Sequence, residues 1–144
     1  MEERVNASPL SAREGKVYID GVLVADTCKF IVTFKPTVWS GKQLSEQGTN
    51  RRWIGYDIEV TIEQWKTTRM YREKINEYIN TGRTPEMTIQ GIQEDKNCDF
   101  YEKNGAEEVT CLGCVPTGDI KLIDMDTDGE VVKESITLGA KRIV

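Results

Sequence analysis

The amino-acid sequence predicts a mainly β fold, an antiparallel β-sandwich or barrel with one flanking α-helix. Three observations carry that expectation. Short runs of apolar and β-branched residues alternate with polar ones at period two along most of the chain. Pairs of turn residues, Asp20-Gly21 and Asp128-Gly129, stand between such runs. Only one stretch, residues 68–82, changes to helical spacing. Many short strands with a single helix fit a closed or two-layered antiparallel sheet better than a parallel one.

Residues 1–14 are polar and contain Pro9, and are expected to form an N-terminal arm without a fold of its own; residues 15–144 are expected to form one domain. A first strand over residues 15–20 turns at Asp20-Gly21 into residues 22–25. In residues 27–35, Cys28, Phe30, Val32 and Phe34 alternate with Lys29, Thr33 and Lys35, and Pro36 is expected to end the strand because it has no N–H to donate. A polar connection over residues 38–52 follows, longer than a compact domain keeps without a task. The clearest strand is residues 53–63. There Ile54, Tyr56, Ile58, Val60 and Ile62 share a face to be buried, and Gly55, Asp57, Glu59, Thr61 and Glu63 share a wet one.

In the helical stretch Tyr71, Ile75, Tyr78 and Ile79 form the inward stripe, a threonine is available as N-cap and Gly82 as the stop. Arg69, Arg72, Glu73, Asn76 and Glu77 lie on the outward face. Further strands are expected over residues 86–93, 108–115, 120–125 and 130–138, with a polar turn or loop over 94–105 and a second hairpin turn at Asp128-Gly129.

A chain of 144 residues is the size of one domain and buries roughly two thirds of its unfolded surface. Its net charge of -5 argues against a protein that grips nucleic acid by neutralising phosphates, which needs a concentrated basic face. Arg51-Arg52 and Lys141-Arg142 are the only basic doublets. The first ten residues are acidic where a signal peptide is basic, and the longest aliphatic run, residues 22–25, is too short to span a bilayer. The sequence therefore reads as a soluble, cytoplasmically made protein without a membrane partner, whose four cysteines are mostly reduced thiols and whose Asn6-Ala-Ser8 is a chance glycosylation match.

Two motifs hint at metal chemistry and neither is complete. Cys111-Leu-Gly-Cys114 has zinc-knuckle or redox spacing. In a regular strand, however, residues three apart point to opposite faces unless Gly113 makes a bulge. Asp124-Met-Asp-Thr-Asp-Gly129 matches the first half of a calcium loop, but the closing glutamate position holds Ser135. There is no histidine and no glycine-rich phosphate loop, so neither an enzyme nor a cofactor is expected.

The order of features carries a resemblance. Glu14-Gly-Lys-Val-Tyr-Ile-Asp-Gly21, the long Gly- and Thr-containing connection, the alternating strand to Glu63 and the helix ending Asn80-Thr-Gly82 come first. Met87-Thr-Ile-Gln90, Glu107-Glu-Val-Thr110 and Gly129-Glu-Val-Val-Lys-Glu134 follow. Over roughly residues 11–138 this resembles the tail tube proteins of contractile-tailed phages and phage-tail-like bacteriocins, the PBSX-type prophage tube family. Residues 135–144 lack the aromatic-rich ending usual in that family.

The resemblance implies a structural subunit of the inner tube of a virion tail, assembled in the bacterial host cytoplasm. Six-membered rings stack into a hollow conduit for DNA ejection or membrane puncture. Implied partners are other copies of the chain, the tail sheath protein, the baseplate and the tail terminator, with DNA passing through the lumen without specific binding. By the same implication Trp39, Lys42, Leu44, Glu46, Arg51 and Arg52 of the 38–52 loop reach the next ring, Asp57, Glu59 and Glu63 face the lumen, and Arg69, Arg72, Glu73 and Glu77 of the helix face the sheath. The alternative is a small barrel module that binds a ligand or single-stranded nucleic acid; Trp53 beside Arg51 and Arg52 is its only sequence support.

Overall fold

The computed structural model describes residues 15–129 and 131–144. The expected arm at residues 1–14 lies outside the described residues. Among these there are eight strands and two helices: β1 (Gly15–Ile19), β2 (Val22–Leu23), β3 (Thr27–Gly41), β4 (Asn50–Trp65), α1 (Met70–Thr81), β5 (Met87–Gln93), α2 (Asp99–Asn104), β6 (Glu107–Pro116), β7 (Lys133–Ala140) and β8 (Arg142–Ile143). The strands run β2-β1-β5-β6-β7-β4-β3, with β8 added to β6, and every pairing is antiparallel.

Strand β6 is the corner of the fold. Its residues 107–114 pair with β5 and β8, whereas Val115 and Pro116 pair with Gly139 and Leu138 of β7. The two layers so formed bury one core: Val17, Ile19, Met87, Ile89, Cys111 and Cys114 on one side, and Ile58, Val60, Ile62, Ile136, Leu138 and Ala140 on the other. Each large aliphatic side chain removed from water there contributes about 1.5–3 kcal/mol. The Phe30 ring of β3 lies so close to Gly91 of β5 that a Cβ at residue 91 would stand 2.4 Å from it. Only glycine allows that approach, which closes β3 over the β1–β5 layer.

The period-two pattern of β4 gives the expected alternation over Ile58, Val60, Ile62 and the buried Gln64. Ile54 and Tyr56, expected on the buried face, are exposed because β4 has run past the core at that point.

Other departures have local causes. Pro36 does not end its strand: β3 continues to Gly41 and β4 starts at Asn50, so the expected loop at 38–52 shrinks to residues 42–49. Strand β3 is the edge of the sheet, where alternate N–H groups point away from the partner strand and a proline is tolerated. Helix α1 is capped by Arg69 with no side-chain bond, and Thr67 instead hydrogen-bonds the Asp26 carboxylate. Its end is as expected, with Gly82 left-handed at φ 74° and its N–H donating to Tyr78 O at 2.7 Å.

Residues 99–104, expected as loop, form α2. Residues 120–125 are not a strand and Asp128-Gly129 joins no hairpin among the described residues; residues 117–129, 131 and 132 are irregular, and the last long strand runs over 133–140 rather than 130–138. Gly113, at φ 65°, does make the bulge: Met87 pairs with Cys114 and Ile89 with Cys111, so β6 holds one extra residue and both cysteines turn into the core. Contact between the two thiols holds the Cys111 thiol below its ordinary range, and the same contact with burial pushes Cys114 up.

Candidate assembly surfaces

The β3–β4 hairpin outruns the body of the protein. From residue 35 to residue 57 only Gly41 and Thr49 are even partly covered. The paired strands beyond Pro36 and Tyr56 extend roughly 20 Å at the usual rise per residue.

A bulge sets the faces of this arm. Thr37 stands opposite Gly55 and Val38 opposite Trp53, which leaves Ile54 as the extra residue. The bulge brings Trp53 onto the face of Phe34, Val38 and Tyr56: the Phe34 ring lies 5.5 Å from Trp53 and 5.5 Å from Tyr56. Tyr56 Oη also donates to Lys141 O at 3.3 Å, tying the root of the arm to the body. Trp53 is 65% exposed and Ile54 64%, so an aromatic sheet face lies open to solvent.

The six residues expected to reach another ring divide between strand and loop. Trp39 and Arg52 face each other across the two strands, and Arg51 is opposite Ser40, so these three are strand residues. Lys42, Leu44 and Glu46 occupy the remaining loop; Leu44 is 97% exposed and Glu46 accepts a hydrogen bond from Asn50 Nδ2 at 2.9 Å. The Trp39 ring folds over Gly41, where a Cβ would come within 2.8 Å of it.

Asp57, Glu59 and Glu63 share the outer face of β4, as the alternation requires. They are not an unopposed acidic row. Lys35 forms an ion pair with Glu59, and that hydrogen bond and charge raise the Lys35 ammonium above its ordinary value. Lys133 Nζ lies 3.9 Å from Glu63, Lys29 is the cross-strand neighbour of Glu63, and Asp57 accepts the N–H of Ile58 at 2.9 Å. Three lysines therefore face three carboxylates, among Thr33, Thr61, Ser135 and Thr137. The result is a smooth polar surface with little net field.

On α1, Arg69, Arg72, Glu73 and Glu77 are exposed, as expected. The inward stripe is shorter than the spacing suggests. Tyr71 is buried, Ile75 half-buried, and Tyr78 and Ile79 open to solvent. Lys74 Nζ, 3.9 Å from Asp20, links the helix to the β1–β2 turn. A cavity of about 180 Å³ between the start of α1 and residues 120–123 is bordered by Lys66, Arg69, Arg72, Lys121 and Glu134. Tyr71 Oη beneath it has no hydrogen-bond partner among the described residues, and burial followed by the Glu134 charge pushes the phenol up to about 12.

One surface was hidden from sequence reasoning. The connection over 117–132 is pinned by Thr117 N to Thr137 O (2.9 Å), Lys66 N to Val132 O (2.9 Å) and Lys66 Nζ to Leu122 O (2.5 Å). Between these anchors Ile123 is 72% exposed and Met125 86%, flanked by Asp119, Asp124, Asp126 and Asp128. Its apolar run Ile120-Lys-Leu-Ile-Asp-Met125 imitates a strand, and the density of aspartates is the signal against one.

Residues 5–139 match a family described as phage tail tube protein. The Phage-like element PBSX protein XkdM of Bacillus subtilis (strain 168) is 25% identical over 131 residues, covering 88% of this chain and 83% of that protein. In solved structures, the chain superposes with a TM-score of 0.70 and 13% identity on a chain of an extracellular contractile injection system, the PVC sheath/tube terminator in its extended state, covering 94% of this chain and 95% of the other. A chain of the PVC sheath-tube complex matches with a TM-score of 0.66 and 11% identity over 100% of this chain and 97% of the other. The likeness in fold thus extends over 94% or more of this chain.

Proposed function

This chain belongs to the phage tail tube protein family, and from that premise we propose that it is a non-enzymatic structural subunit that closes into six-membered rings. The rings stack into the inner tube of a contractile tail, a conduit for DNA ejection or membrane puncture. The sheath protein, baseplate and tail terminator are its partners, and the tube is built in the host cytoplasm as part of the particle. The observation that carries this reading is the β3–β4 arm, a paired hairpin that leaves its own core and keeps an aromatic face uncovered. An isolated monomer gains nothing from such an arm, whereas a neighbouring subunit can bury it.

The sheet supports ring closure. Among the described residues it ends in two different edges, the fifteen-residue β3 and the two-residue β2. A head-to-tail ring needs two unlike surfaces on each subunit, and an open edge is a ready pairing template. The arm with Lys42, Leu44 and Glu46 at its tip reaches the next ring. The face of Asp57, Glu59 and Glu63 lines the lumen, where charge balanced by lysines gives DNA phosphates nothing to hold. The charged face of α1 turns to the sheath. Negative-stain electron microscopy of the purified chain tests the whole reading: rings or tubes are expected, and a strictly monomeric species at high concentration overturns it.

A further inference from the structure

Two surfaces of this molecule are complementary, and they belong to different ends of the sequence. The first is the arm. Its tip, residues 42–52, holds Lys42, Arg51 and Arg52 against the single carboxylate of Glu46, and its open face holds Phe34, Val38, Trp53 and Tyr56. The second is the connection between β6 and β7. Residues 117–129 hold four aspartates against Lys121, with Leu122, Ile123 and Met125 exposed between them. One surface is basic and aromatic, the other acidic and aliphatic.

We infer that the arm of one copy docks on residues 117–129 of a second copy, in a head-to-tail contact that repeats from ring to ring. The inference rests on the proposed tube and names the surface that receives the arm. Trp, Tyr and Arg are the residues that anchor protein interfaces, and the arm offers all three on a rigid paired strand. Opposite charges around an apolar centre fix the orientation and speed the encounter. The exposed end of α1, with Tyr78 and Ile79, is the competing acceptor, but Arg83 just past it offsets Glu77. The connection is the more acidic, and its hydrogen bonds at both ends hold it in place for docking.

Charge reversal tests the pairing. Arg51→Glu with Arg52→Glu, and separately Asp124→Lys with Asp126→Lys, should each raise the protein concentration needed for tubes by about tenfold or more. The variant carrying all four substitutions should recover most of that loss. A second test uses Cys28→Ser protein, which removes the exposed native thiol. Copies with Ile54→Cys mixed with copies with Ile123→Cys should give disulfide-linked dimers under mild oxidation, and neither variant alone should.

Arginine reversal that abolishes tubes without rescue by the aspartate variants, together with no cross-link, overturns this acceptor and leaves the tube reading standing. Arginine reversal that leaves tubes unchanged also overturns it. Failure of the unsubstituted chain to assemble is the separate result that removes the tube reading itself.

Discussion

Single residues decide where this sandwich closes and where it is open. Gly91 admits the Phe30 ring, and Gly113 admits the bulge that puts Cys111 and Cys114 together in the core. The sequence showed Gly113 as a possible bulge but gave no sign that Gly91 was a contact point, because the residue it meets lies about sixty positions away. Tyr71 is a residue-scale test of the packing of α1. Its phenol is raised to about 12 in the folded chain, against about 10 when unfolded, chiefly by burial. The neutral form is thus the one the fold accepts: the stability is fully present below pH 10 and is lost as pH rises through 12. Tyr71→Phe should be at least as stable at pH 7, since it removes a buried hydroxyl without a partner among the described residues. It should also exceed the native chain by a further 1–2 kcal/mol or so between about pH 11 and 11.5. Chemical denaturation of both proteins at pH 7 and 11 checks this; a large loss at pH 7 would mean that the hydroxyl is bonded after all.

Among the elements, those with a clean period were legible and those without one were not. The alternation in residues 53–63 located β4, and the 3.6-residue spacing with Gly82 located α1. The arm is only partly legible: residues 38–52 stand out by length, but Pro36 and the polar composition conceal that nearly half of them, residues 38–41 and 50–52, are paired strand. Proline loses its meaning as a strand stop at a sheet edge, and edge position is a property of the fold that no local pattern carries. In the opposite sense, residues 120–125 are apolar enough to read as a strand but pair with no strand among the described residues.

Because the loop proper is only residues 42–49, deleting residues 44–48 still leaves enough chain to turn the hairpin. The deleted subunit should melt within a few degrees of the native one, yet fail to make long tubes under the microscope. Unfolding on deletion would instead place the loop in the core. Reversing the charges of Arg69, Arg72, Glu73 and Glu77 should give the complementary result, with normal tubes and weakened sheath binding in co-sedimentation. Loss of the tubes themselves would move that face from the sheath to the ring.

At the scale of the whole molecule, the core accounts for the fold but covers only part of the apolar surface. All three tryptophans, Trp39, Trp53 and Trp65, are about half or more exposed, and two of them lie on the arm. A domain that can bury a sizeable core does not leave every indole wet unless a second surface completes the burial. Assembly and stability are then linked by mass action, so the melting temperature should rise with protein concentration. The indoles supply the readout without a label. Emission of the dilute chain should be that of solvated tryptophan and should shift to shorter wavelength as concentration passes the threshold for tubes. A Trp53→Phe variant should show a smaller shift, and Arg51→Glu with Arg52→Glu should move the threshold upward in the same titration. An emission maximum that stays constant while tubes form would mean that the aromatic face of the arm remains in water within the tube, and the arm would then have to join rings through its backbone and its charges alone.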